Sequence, residues 1–150
     1  MATVYGVNNT KKYITVPMEK VAAKEDSGKV RVSYDSYAFP ANIFASGDSI
    51  ELMKLPAGAK VVNAIVKAPS LGTTGIFDLG YKANGVDVAD LDGFVLAADA
   101  GGQAAFKVMG TEAGSFKEFS VETQVVLTST EATTAALALV IEVAVFYVLE

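Results

Sequence analysis

Four aspartates within residues 87–99, Asp87, Asp90, Asp92 and Asp99, are the residues of this chain whose types and spacing come nearest to chemistry. Several of these acids, with Gly93, fall at the offsets of a calcium loop. The first ligand position is however occupied by Val88, and the helices that flank such a loop are missing. A solvated loop or the start of a helix accounts for the cluster more simply. Further acids, Glu51, Asp78, Glu118, Glu122 and Glu142, lie on segments of strand character. Two carboxylates facing each other across a cleft can cleave a glycoside, but nothing in the spacing pairs these. Asp78, between Phe77 and Leu79, is by default a surface residue; turned inward it needs a lysine or backbone amides as partner.

The remaining routes to catalysis close on composition. The chain has no His, which removes the usual general base, the Ser–His relay and the commonest transition-metal ligand. It has no Cys, hence neither disulfides nor thiolate chemistry. No Gly-Lys-Ser/Thr phosphate loop and no Gly-x-Ser-x-Gly elbow occurs. The expectation is a protein that is not an enzyme, with no cofactor and no metal. Nucleic acid is an unsuitable partner: the net charge is −5, and the basic residues are eleven Lys and a single Arg, Arg31.

The charge is unevenly placed. Residues 1–31 carry a net +3 and residues 32–150 a net −8, so a basic arm leads into an acidic body. Residues 1–28 read as an extended arm, and residues 29–150 as one body of a size that buries roughly 70% of its extended-chain surface. In the arm, Tyr5, Val7, Tyr13, Ile14 and Val16 are apolar or aromatic, and Lys11 and Lys12 supply charge. Residues 18–26 suit a short helical turn, or a segment that orders only on a partner. Such an arm is either a solvated tail or a strap that docks on an acidic neighbour, for instance the body of an adjacent copy. No secretory leader is expected from the first residues.

The body reads as strands divided by turn chemistry. Val30, Val32 and Tyr34 alternate with Arg31, Ser33 and Asp35, as in a half-buried strand. Strands are also expected over residues 48–55, 60–68, 76–82, 103–109 and 119–127, the last with one wet face. Pro56-Ala57-Gly58-Ala59, residues 72–75 and Asn84-Gly85 mark turns. Residues 88–98 suit a helix, with Asp87 as cap and Leu91, Val95 and Leu96 on one face, although Gly93 weakens it. Residues 129–134 read as a polar loop. The final segment, residues 136–150, is apolar on both faces. Leu137, Leu139, Ile141, Val143, Val145, Tyr147 and Leu149 share one face, and Val140, Ala144, Phe146 and Val148 the other, with Glu142 among them. Such a strand must be covered on both sides, which makes Phe146 and Val148 candidate contact residues alongside those of the arm. The segment is too short for a helical membrane span and rich in β-branched residues, so no membrane partner is expected. Tyr5, Tyr13, Tyr34, Tyr37 and Phe39 offer a carbohydrate platform, or more simply core and interface filler. The fold expected is all-β: a single-domain β-sandwich or jelly roll of seven or eight strands, with an N-terminal arm and at most one short helix.

The block Ser49-Ile50-Glu51-Leu52-Met53-Lys54-Leu55-Pro56-Ala57-Gly58-Ala59-Lys60-Val61, followed by Leu71-Gly72-Thr73-Thr74-Gly75, Asp78-Leu79-Gly80 and the closing Val145-Phe146-Tyr147-Val148, resembles small structural proteins of tailed bacteriophages. The similarity runs over roughly residues 28–150 and rests on turn and strand patterns. Some of these proteins resemble capsid decoration, or cement, proteins. The resemblance implies a jelly-roll-like module that assembles as a homo-oligomer, often a trimer, with the major capsid protein as partner on the outer surface of the head. It carries over no catalytic residue.

Overall fold

A computed structural model describes residues 10–21, 28–38, 44–70, 74–100, 104–133 and 139–149 of the chain. Among the described residues eight strands are present: β1 (Val30–Ala38), β2 (Ser49–Leu55), β3 (Lys60–Ala68), β4 (Ile76–Tyr81), β5 (Asp90–Asp99), β6 (Ala105–Val108), β7 (Thr123–Glu131) and β8 (Val140–Val148). They form two four-stranded sheets, β1-β8-β3-β6 and β2-β7-β4-β5. Every pairing is antiparallel, and β1 pairs with β8, β2 with β7, β3 with β6 and β4 with β5. The chain is thus one long hairpin rolled up on itself, the eight-strand jelly roll.

Local chemistry explains the turns. In the β2–β3 connection Gly58 has φ +81, and the Ala59 N–H donates to the Pro56 carbonyl at 3.1 Å. That is the left-handed third position of a type II turn, open to glycine at no steric cost. The Asn84 side chain organises the β4–β5 connection: its Oδ1 accepts from the Val86 and Asp87 N–H groups, and its Nδ2 donates to Thr123 Oγ1 at 2.7 Å. Between the sheets lies a core in which Leu55, Val61, Val66, Phe77, Leu79, Phe94, Phe119, Val125 and Leu127 are fully buried. Ile141, Val143, Val145 and Tyr147 of β8 join it, the face expected from the alternation.

Three expectations are corrected. Residues 88–98 are not a helix; most of them form β5. The register between β4 and β5 shifts between Phe77 and Leu79 and again between Leu79 and Tyr81. These bulges break the period of two, so the buried set is Phe94, Val95 and Ala98, spaced as on a helix face, while Leu91 and Leu96 stay exposed. Gly80 marks the same bulge: a Cβ there would lie 2.0 Å from the Asp90 carbonyl oxygen. Next, the strand expected over residues 119–127 begins only at Thr123. Phe119 sits ahead of it in a bend, held by its N–H to the Ala59 carbonyl and its carbonyl to the Gly58 N–H. This strand is not wet along one face, since Val126 and Thr128 are buried as well. It also runs on to Glu131, taking in part of the expected polar loop. Ser129 is satisfied in place by backbone bonds to Gly47 and Asp48.

Asp78 is the third correction. It is buried, and its Oδ1 accepts the Ala97 N–H at 2.7 Å. Ala97 has φ +54, so this carboxylate caps an amide that the β5 bulge has turned out of the ladder. Asp78→Ala orphans that amide and is expected to lower stability by about 1–3 kcal/mol. Urea unfolding measures it, and an unchanged midpoint would contradict the capping role.

Candidate assembly surface

The sheet β1-β8-β3-β6 has a second face, turned away from the core. Its side chains lie in cross-strand rows: Val32–Phe146–Asn63, then Tyr34–Ala144–Ile65–Val108, then Ser36–Glu142–Lys67–Phe106, and finally Ala38–Val140. Most of this face is apolar and open. Val30, Val32 and Tyr34 are 59%, 54% and 59% exposed, Phe106 67%, Val108 44% and Val140 46%. Ile65, Ala144 and Phe146 are half-buried.

β1 therefore inverts its expected orientation. Its apolar residues face water, while Ser33 and Asp35 are half-buried on the side of Val145 and Val143. A strand with valines outward and serine and aspartate inward presents an exposed apolar face. Burying it on a second surface removes several β-branched and aromatic side chains from water, each worth about 1.5–3 kcal/mol when fully buried.

One polar group sits in the middle of this face. The Tyr34 hydroxyl donates to Glu142 Oε1 at 2.8 Å, and Lys67 Nζ donates to Glu142 Oε2 at 2.5 Å. The Lys67 hydrogen bond, then that of Tyr34, hold the Glu142 carboxyl below the usual carboxylate range. The same contacts push the Lys67 and Tyr34 pKa values up. At neutral pH the trio is one satisfied unit, so covering it strands no unpaired charge.

The other sequence candidates fall as follows. Tyr5 and Val7 lie outside the described residues, as does the side chain of Tyr13. Lys11 and Lys12 are half-buried in a single wide helical turn at Thr10–Ile14. Ile14 is 50% exposed, Val16 93% and Met18, not singled out from sequence, 69%. Phe146 belongs to the open face, whereas Val148, 6% exposed, is covered by the chain itself. Tyr34 and Tyr37 point to opposite faces of β1, Tyr37 packing edge-on against Phe44, so they form no common platform; Phe39 is outside the described residues.

The acids do not converge. Asp90 and Asp99 occupy opposite ends of β5, and Asp87 is bound to Lys117 and Asn84. Burial pushes the Asp90 carboxyl up, and neighbouring Asp92 adds to this. Glu51 pairs with Lys82, Glu122 with Lys54 and Glu142 with Lys67. Among the described residues no three His, Cys, Asp or Glu side chains gather as a metal site.

The residues missed from sequence are Phe106, Val108 and the outward parity of Val30, Val32 and Tyr34. The polar alternates Ser33 and Asp35 masked that parity, because alternation alone does not say which set is inside.

No protein-family model and no curated protein matches the chain. Among solved structures that share its fold are chains of two phage capsids. A chain of the capsid of Ralstonia phage GP4 aligns with a TM-score of 0.68 at 21% identity, over 95% of this chain and 96% of its own. A chain of the cyanophage Pam1 capsid asymmetric unit aligns with a TM-score of 0.65 at 21% identity, over 82% of this chain and 86% of its own.

Proposed function

We propose that the chain is a virion structural protein of a tailed bacteriophage: a capsid decoration, or cement, protein that attaches as a homo-oligomer, in all three copies if trimeric, to the outer surface of the assembled head. The observation that carries this reading is the open apolar face of the β1-β8-β3-β6 sheet, on a fold shared with chains of two phage capsid structures. Its partner is the major capsid protein, and it is made in the host cytoplasm. Its work is binding rather than catalysis. A protein that attaches only to the closed shell stabilises that shell by mass action, by about 2.7 kcal/mol at a hundredfold excess over Kd. The rigid jelly roll supplies the contact surface, and the arm of residues 1–28, with Lys11, Lys12, Lys20 and Lys24, reaches for an acidic neighbour.

The test is co-sedimentation of the purified protein with isolated heads and isolated tails of the parent phage. Attachment to heads supports the proposal; attachment to tails alone, or hits on a glycan array without head binding, overturns it. Deleting residues 2–16 is expected to leave the body folded and to weaken head attachment at least tenfold, about 1.4 kcal/mol. A truncated protein that binds heads as tightly as the full chain would remove the arm from the account.

A further inference from the structure

A groove of about 610 Å³ opens at one corner of the exposed face, walled by Pro69, Ala105, Phe106, Leu139 and Val140, with the Lys67–Glu142 pair at its rim. It sits at the end of the sandwich where β1 connects to β2, β3 to β4, β5 to β6 and β7 to β8. That end also carries Asp48, Asp99 and Glu131 at exposed positions.

The chain holds a segment of matching chemistry. Ile14, at the end of the helical turn, and Val16 and Met18 in the bent segment after it are all exposed apolar side chains. Lys11, Lys12 and Lys20 flank them. In the single chain the segment does not fill the groove. Its backbone folds on itself, the Glu19 N–H donating to the Lys11 carbonyl at 3.0 Å, and Ile14, Val16 and Met18 stay exposed while Val140 and Phe106 stay exposed too.

Closure within one copy requires the chain to turn back on itself. The arm enters the sheet at Val30, opposite Val148, whereas the groove lies at the Ala38–Val140 end. To fill its own groove the arm has to reverse and run back along β1, about 27 Å for nine residues.

We infer that residues 14–18 of one copy occupy the groove beside Val140 and Phe106 of the next, the lysines facing its acidic end. Each copy then gives one arm and receives one, a head-to-tail contact that closes into a ring when the rotation permits. This rests on the self-association in the proposed function, not on head binding.

The absence of native Cys makes the test direct. In the full chain, Val16→Cys and Val140→Cys are combined, both at exposed positions, and the protein is oxidised and run on a non-reducing gel. The expected result is a shift of most chains to linked species larger than one chain, reversed by reductant. A mixture of the two single variants is expected to give a dimer linked from residue 16 to residue 140, identified by mass spectrometry. An intrachain link, or no link with an unchanged melting temperature, overturns the inference. Linked copies that do not bind heads leave it standing and remove the capsid role; head binding without linkage does the reverse.

Discussion

Val32→Lys combined with Phe106→Lys is expected to turn the protein from an oligomer into single chains, with the folding stability of the isolated chain essentially unchanged and only the concentration-dependent part of its melting temperature lost. The two residues stand on opposite edge strands of the exposed face, β1 and β6, and are 54% and 67% exposed. In the isolated chain they contribute little packing, and surface changes of this kind stay within about 0.5 kcal/mol. In an assembly that covers the face, each lysine must either hold the surfaces apart or be buried without a counter-charge. The Glu142 carboxylate is already engaged by Lys67 and Tyr34. An aromatic side chain buried at an interface accounts for about 2 kcal/mol or more where it is an anchor, so self-association is expected to fall about thirtyfold. Sedimentation velocity over a concentration series reads it. A parent protein that is monomeric throughout, or a variant that assembles normally, sinks the assignment of this face.

Phe119→Ala has the opposite signature: a large loss of stability with no specific effect on association. Phe119 is fully buried and meets Tyr81 edge-on at 4.9 Å and Phe94 edge-on at 6.3 Å. Lys117 lies 5.7 Å from its ring centre and is itself tied to Asp87. The substitution leaves the backbone bonds to Gly58 and Ala59 in place, so the cost is that of the ring: lost burial plus the cavity left between the sheets. Such changes cost about 3–5 kcal/mol. At about 2–4 °C per kcal/mol for a chain of this size, the melting temperature is expected to fall by roughly 6–20 °C. Calorimetry on the two variants side by side separates the two sets of residues. Equal losses of stability in both would mean that the outer face is part of the folded core.

The strands and turns were largely readable because their signals are local. Pro56-Ala57-Gly58-Ala59 turns as its residues require, and the inward set of β8 follows from alternation. Residues 88–98 misled because bulges in β5, imposed by pairing with β4, leave Phe94, Val95 and Ala98 buried in a spacing that imitates a helix. Asp78 misled for a related reason: the amide it caps lies on a strand nineteen residues away, at a bulge without local signature. Of the residues on the open face, Phe146 alone was a contact candidate from sequence. Phe106 and Val108 were not, since β6 is a short edge strand whose exposure depends on having β3 as its single neighbour.

Composition and pattern alone determined that this chain folds as β-structure, that it carries no His or Cys, and that a net-basic first 31 residues precede a net-acidic remainder. Tertiary structure decided which side of β1 and β8 meets water. A period of two is the same read from either side, and only the stacking of β2-β7-β4-β5 against one face of the other sheet leaves Val30, Val32 and Tyr34 on the outside.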